Sequence, residues 1–181
     1  VERILTLIQR AEASLTQDFA YDSQAHHALA RRVAGEGAVL LKNEGGLLPL
    51  PVGAKIALIG GFAKMPRYQG AGSSLMNPTR LDNLYEELAK LIGETNLTYA
   101  PGYTEKGEVA DEALIQEALD VAGKAELVVV CAGLTDMHEI EGLDRQHLRL
   151  PAGHAALIQR LAAAHRKVVV VLSNGSPVEM P

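Results

Sequence analysis

The apolar residues of this chain fall into two alternating patterns, one typical of buried strands and the other of amphipathic helices. Four short runs rich in apolar and β-branched residues predict strands at residues 55–59, 96–100, 127–133 and 167–172. Between them, apolar residues at helical spacing predict helices at residues 82–92, 111–122 and 151–165. This order predicts an α/β fold, a doubly wound parallel sheet of about four strands that is sandwiched by helices and joined by right-handed crossovers.

The N-terminal segment shows only helical patterns. A first amphipathic stretch ends near residue 13, and the pattern breaks over residues 16–22. Asp22 or Ser23 can cap a second helix that runs to about residue 36. We therefore predict that residues 1–22 form a linker helix and that residues 23–181 form the α/β sandwich domain.

The last predicted strand, residues 167–172, is a continuous apolar run, and we expect it to be buried. Four strands are few for a doubly wound sheet, and the chain stops at Pro181, soon after this strand. A parallel sheet that ended there would have an uncovered edge. We therefore expect further strands to follow in a longer protein, so that the domain is truncated at its C-terminal end. The first residue, Val1, also suggests a start inside a longer protein.

Composition excludes several classes of function. The net charge is −5, no basic block occurs, and aromatic residues are limited to five tyrosines and two phenylalanines, which argues against a nucleic-acid partner. No apolar run approaches the roughly 20 residues that a membrane-spanning helix needs. The single cysteine, Cys131, lies inside an apolar run and is predicted to be a core residue. Because no signal peptide is visible, we predict a cytoplasmic location.

Polar residues concentrate where the predicted strands end. Three loops follow strands and share the carboxyl edge of the sheet, at residues 60–80, 134–150 and 173–180. In open α/β sheets ligands bind outside this edge. The densest group of ionisable side chains, residues 136–147, comes directly after the most apolar strand. Chemistry is therefore expected in these three loops.

The loop at residues 60–80 is long and rich in glycine, a combination that is usually functional within a compact domain. A dinucleotide-binding fingerprint would need a third glycine where Leu75 stands, and no Walker lysine is present. A nucleotide cofactor is therefore not predicted. A flexible surface loop remains the alternative.

The ionisable cluster allows more than one interpretation. The dipeptide His138-Glu139 resembles part of a zinc-protease motif, but Gly142 occupies the place of the second histidine. Asp136, His138 and Glu141 remain an alternative metal site, although nothing in the sequence fixes their geometry. A solvated loop in which Asp144 and Arg145 pair locally is the simplest interpretation.

A third interpretation is acid–base catalysis by a carboxyl group. Glycosidases use two carboxylates, about 5 Å apart when configuration is retained. Glu139 and Glu141 are two residues apart and would point to opposite sides of an extended segment. They are poor candidates for such a pair, so the second carboxylate would come from another loop or from outside the chain.

Four segments, in order, resemble the second, α/β sandwich domain of family 3 glycoside hydrolases. Residues 34–50 are similar to the entry into that domain, and residues 67–79 to its substrate-facing loop in bacterial members. Residues 139–151 resemble its acid/base segment, and residues 173–181 its next strand end. The resemblance covers nearly the whole chain, and it implies that the last strands of the family domain are absent.

The resemblance implies a role for individual residues. Glu141 matches the general acid/base, and Ser73 matches a residue that contacts the sugar, in a substrate-binding loop that also holds Arg67 and Gly72. Structural support of the site is implied for three residues of the ionisable cluster: Asp144, Arg145 and Glu139.

By the same resemblance, the nucleophilic aspartate belongs to a preceding barrel domain, of which residues 1 to about 20 would be the tail. The expected function is that of a fragment of a retaining β-glucosidase, inactive alone, that acts on a β-glucoside or related carbohydrate with neither metal nor cofactor. The alternative is a non-catalytic α/β module that binds a sugar or another polar ligand.

Overall fold

The structure is a computed structural model that describes residues 1–15 and 20–180. It contains two compact units, Val1–Leu41 and Lys42–Pro181. No helix in the described ranges is long and apolar enough to cross a membrane.

The first unit consists of two helices, α1 (Glu2–Ala13) and α2 (Ser23–Glu36). The carboxylate of Asp22 caps α2, because its Oδ1 accepts hydrogen bonds from the backbone N–H groups of Gln24 and Ala25 at 2.9 and 3.0 Å. The predicted break at residues 16–22 lies partly outside the described residues. The predicted domain boundary between residues 22 and 23 stays a prediction.

The second unit is built around a four-stranded parallel sheet. Its elements follow in the order β1 (Ile56–Ile59), α3 (Leu84–Ile92), β2 (Leu97–Ala100), α4 (Glu112–Ala122), β3 (Leu127–Gly133), α5 (Ala152–Ala164) and β4 (Val168–Ser173). The strands lie in the order β2-β1-β3-β4, and every pair is parallel. The predicted fold class, an α/β sandwich, is confirmed.

The strand order creates a switch point between β1 and β3. Ile56 of β1 is in register with Leu97 of β2 on one side and with Leu127 of β3 on the other. The chain therefore moves outwards from β1 to β2 and then crosses back over β1 to reach β3. In open α/β sheets, the crevice at such a reversal is where ligands bind, and the loops after β1 and β3 flank it.

Helices cover the sheet on both faces. Leu88 of α3 packs with Leu58, Val129 and Cys131 on one face. The other face of β1 and β3 packs against α4 and α5, chiefly through the buried residues Ile115, Ala118, Leu157 and Leu161. Burial raises the pKa of the Cys131 thiol to about 12, so this residue is a core thiol, as predicted.

The expected burial of the fourth strand is wrong. Val170 and Val171 of β4 are 39% and 40% exposed. Within the described part of the chain β4 pairs only with β3, so it is an edge strand. A continuous apolar run does not by itself distinguish an edge strand from a central one.

Candidate functional site

A cleft of about 640 Å³ lies at the carboxyl edge of the sheet, where the loops after β1, β3 and β4 meet. The first loop, residues 60–80, contributes Arg67 and Gln69 to its lining, and the second, residues 134–150, contributes His138 and Glu139. The third, residues 173–180, contributes Ser173 to Ser176. The three loops predicted to carry the chemistry are thus brought together.

Arg67 joins the first loop to the second. Its Nε donates to the carbonyl oxygen of Leu134 at 3.1 Å, Nη1 pairs with the carboxylate of Asp136, and Nη2 lies 3.5 Å from Oε2 of Glu139. The Arg67 side chain is only 13% exposed. All three guanidinium nitrogens therefore already have protein partners, and the predicted contact of Arg67 with substrate stays a prediction.

Glu139 joins the second loop to the third. Its Oε1 accepts hydrogen bonds from the backbone N–H of Gly175 at 2.7 Å and from the hydroxyl of Ser176 at 3.2 Å. With Oε2 directed to Arg67, both oxygens have partners, and the side chain is 17% exposed. Sequence reasoning assigned Glu139 a supporting role at most. In the sequence, the only indication that the two carboxylates point in different directions is that Glu139 and Glu141 are two residues apart.

Glu141 lies on the exposed side of the same segment. The hydroxyl of Ser73 donates a hydrogen bond to its Oε2. The two loops also meet through their backbones, because the N–H of Ala71 donates to the carbonyl oxygen of Glu139 at 3.0 Å and Ala71 forms a parallel bridge with Ile140. Glu141, Ser73 and Gly72, which the sequence placed in one site, are therefore adjacent.

Gly72 has a conformation that suits glycine. Its φ is +93°, in the region that L side chains rarely adopt, and a Cβ there would lie 3.4 Å from Cβ of Glu141. The absence of a side chain lets the first loop pass directly beside Glu141.

A side-chain amide closes the first loop. Oε1 of Gln69 accepts from the backbone N–H of Met76 at 2.9 Å, and Nε2 of Gln69 donates to the carbonyl oxygen of Met76 at 2.9 Å. The segment between these residues, which holds Gly72 and Ser73, is therefore bounded by a two-point contact.

Asp144 and Arg145 lie further along the second loop. Nη2 of Arg145 donates to the carbonyl oxygen of Pro177, whereas Asp144 is exposed. In the ranges that the structure covers, no ion pair joins Asp144 to Arg145. Arg145 thus connects the second and third loops, and the supporting roles of both residues stay predictions.

The residues of the alternative metal site have separate partners. Asp136 pairs with Arg67, Glu141 bonds to Ser73, and Nδ1 of His138 lies 3.0 Å from the hydroxyl of Thr135. Among the described residues, no group of three or more histidine, cysteine or acidic side chains is arranged to hold a metal ion.

Comparison with known proteins gives the family. Residues 38–181 match the family model of the glycosyl hydrolase family 3 C-terminal domain. Thermostable beta-glucosidase B of Acetivibrio thermocellus is 50% identical over all of this chain, which covers 24% of that protein. An exo-alpha-(1->6)-L-arabinopyranosidase of Bifidobacterium longum is 40% identical over 97% of this chain, which again covers 24% of the relative.

Solved structures agree with these sequence matches. The crystal structure of the GH3 beta-glucosidase of Bifidobacterium adolescentis superposes with a TM-score of 0.84 at 40% identity, and the match covers 94% of this chain and 24% of that one. The chain thus spans about a quarter of the length of the relatives it matches. It belongs to glycosyl hydrolase family 3, and its residues 38–181 match the C-terminal domain of that family.

Proposed function

We propose that this chain is the part of a retaining β-glucosidase that supplies the general acid/base, and that Glu141 is that residue. The observation that carries the proposal is the placement of Glu141, an exposed carboxylate beside the switch point of the sheet that is bonded to Ser73. Glu139 cannot serve equally well, because both of its oxygens are already engaged by Arg67, Gly175 and Ser176.

The reaction proceeds by double displacement. An aspartate in a preceding barrel domain attacks the anomeric carbon while Glu141 protonates the leaving oxygen. Glu141 then removes a proton from the water that hydrolyses the glycosyl-enzyme, and the configuration is retained. Because Glu139 and Glu141 face different ways, Glu139 is not the nucleophile for this pair, and by the family resemblance that role falls to the barrel aspartate.

The contact with Ser73 divides the work of the two Glu141 oxygens. Oε2 accepts a hydrogen bond from the hydroxyl of Ser73, whereas Oε1 has no partner among the described residues. Oε1 is therefore the atom that carries the proton to the leaving group. The substrate is a β-glucoside or a related carbohydrate, by likeness to the beta-glucosidases among the relatives.

The test is a Glu141→Ala substitution in the full-length protein that contains this chain. With an activated aryl β-glucoside, whose leaving group needs little acid assistance, deglycosylation should become the slow step. Added azide should then restore turnover and give β-glucosyl azide. Glu117→Ala, at an exposed position on α4, is the matched control and should leave the rate unchanged. An unchanged rate for Glu141→Ala, or a loss that azide does not restore, would move the role to another residue.

The isolated chain gives a second test. It should not hydrolyse glycosides at a useful rate, because an acid/base without its nucleophile retains little of the catalysis. Turnover by purified residues 1–181 would contradict the proposal. If Glu141→Ala leaves the full-length protein unchanged while the isolated chain binds a sugar, the chain is a binding module instead.

A further inference from the structure

Glu139 is fixed through both its backbone and its side chain. Its carbonyl oxygen accepts from Ala71 of the first loop at 3.0 Å. Its carboxylate reaches Arg67, also of the first loop, and Gly175 of the third. Glu139 is therefore the residue at which all three loops of the carboxyl edge are joined.

The third loop approaches this carboxylate closely. A Cβ added to Gly175 would lie 3.1 Å from Oε1 of Glu139, tighter than an ordinary van der Waals contact. The backbone N–H of Gly175 and the hydroxyl of Ser176 both point at the same oxygen. A charged acceptor makes such hydrogen bonds shorter and stronger than a neutral one does.

Glu141, in contrast, is held lightly. It is exposed, and Ser73 is its hydrogen-bond partner within the described residues. Only Ile140 separates Glu141 from Glu139, so the backbone that leads into Glu141 is held in place at Glu139. Ser73 itself lies two residues beyond Ala71, which bonds to the Glu139 backbone.

We infer that Glu139 is the positioning residue of this site: by tying the loops after β1, β3 and β4 together it sets the position of the Glu141 carboxyl group. The inference rests on the proposed function. Glu139 acts through Glu141, because both of its own carboxylate oxygens are bonded to protein groups. A displacement of about 1 Å in a catalytic group can cost on the order of a hundredfold in rate, so loss of this anchor should be visible in the kinetics.

The dependence on leaving group separates positioning from a general loss of structure. A misplaced acid slows substrates that need protonation of a poor leaving group and spares those with a good one. In the full-length protein, Glu139→Ala should lower kcat/KM for an alkyl β-glucoside at least about tenfold more than for 2,4-dinitrophenyl β-glucoside. An equal loss for both substrates would overturn the inference.

A second variant keeps the test valid if Glu139→Ala does not fold. Glu139→Gln retains an acceptor oxygen for Gly175 and Ser176, but places an amide against the Arg67 guanidinium. It should show the same leaving-group preference to a smaller extent. Glu117→Gln, on the exposed side of α4, is the control and should show none.

Azide distinguishes the two glutamates. Because Glu139→Ala leaves Glu141 in place, azide should not restore its turnover as it restores that of Glu141→Ala. Equal rescue of both variants would make Glu139 itself an acid/base and overturn the inference. If Glu141→Ala shows neither slow deglycosylation nor rescue, the proposed function fails, and this result is distinct from a failure of the positioning role.

Discussion

Ser73 and Glu141 are 68 residues apart in sequence, yet the hydroxyl of one donates a hydrogen bond to the carboxylate of the other. The contact links the loop after β1 to the loop after β3 across the switch point of the sheet. Among the described residues, Ser73 is also the hydrogen-bond partner of the Glu141 side chain. The behaviour of Glu141 should therefore depend on Ser73.

Removing the Ser73 hydroxyl should weaken catalysis without unfolding the protein. In Ser73→Ala, Oε2 of Glu141 loses its donor, and the carboxylate gains rotational freedom. We expect kcat of the full-length protein to fall about tenfold, which corresponds to about 1.4 kcal/mol, near the low end for a hydrogen bond to a charged group. Ser74→Ala, at the exposed neighbouring position, should retain kcat. Equal rates for the two variants would show that the contact has no catalytic role.

Gly72 offers a test of the loop that passes beside Glu141. A Gly72→Ala substitution places a side chain at φ +93° and a Cβ 3.4 Å from both Glu141 and Ile140. We expect the free energy of unfolding to fall by about 1–2 kcal/mol, measured by urea denaturation of the chain, and the activity of the full-length protein to fall with it.

The matched control for this substitution is Gly35→Ala. Gly35 lies within α2, and a Cβ there meets nothing within 4 Å. Alanine favours a helix over glycine by up to about 1 kcal/mol, so this variant should be as stable as the parent or more so. A stability loss of the same size in both variants would contradict the strain argued for Gly72.

Tyr103 holds the start of the first loop against β3. Its buried hydroxyl donates to the carbonyl oxygen of Cys131 at 2.7 Å and accepts from the backbone N–H of Phe62 at 3.1 Å. Burial raises the pKa of the Tyr103 phenol well above its usual value, so the group stays a donor. Tyr103→Phe leaves two backbone groups without their partner.

We expect Tyr103→Phe to lower the free energy of unfolding by about 2 kcal/mol, since an unsatisfied buried polar group costs roughly 1–3 kcal/mol. Tyr85→Phe is the control: the Tyr85 ring packs edge-on against Tyr99, and this contact survives the substitution. Its effect should stay within about 0.5 kcal/mol. Urea denaturation of both variants makes the comparison.

The sequence predicted the strands well because buried parallel strands are continuous apolar runs, as in β3. Helix starts were also predictable, since Asp111 accepts hydrogen bonds from the first backbone N–H groups of α4 as a capping residue does. The inward face of α5 is harder to predict. Helical spacing predicts Ala155, Ile158, Leu161 and Ala162 as its inward residues. Leu161 is indeed buried, but so are His154 and Leu157, and Ala162 is exposed. Small residues such as alanine occur on either face, so they do not fix the phase.

The site was predictable as a location but not as a network. Resemblance and strand ends together identified Glu141 and Ser73, which the structure brings into contact. The position of Glu139 at the centre depends on Arg67, 72 residues away, and on Gly175, 36 residues away. No local pattern encodes such contacts, because they arise only when the strand order has been set.

His154 predicts a specific dependence of stability on pH. It is buried on α5, and the centroid of its ring lies 3.7 Å from that of Tyr103. Its Nδ1 accepts a hydrogen bond from the backbone N–H of Gly133 at 3.3 Å. Burial lowers the pKa of this imidazole from 6.5 to about 4. Between these values the unfolded chain binds the proton and the folded chain does not. The stabilisation is therefore complete above about pH 6.5 and is lost as the pH falls towards 4.

The contribution of His154 between pH 7 and pH 4 should be about 3 kcal/mol. His154→Asn keeps a side chain that can accept from Gly133 but does not titrate. Its stability should fall less between pH 7 and pH 4 than that of the parent, by this amount, whatever its stability at neutral pH. Urea denaturation of the two chains at both pH values measures the difference, and parallel pH curves for His154→Asn and the parent would contradict a depressed pKa at His154.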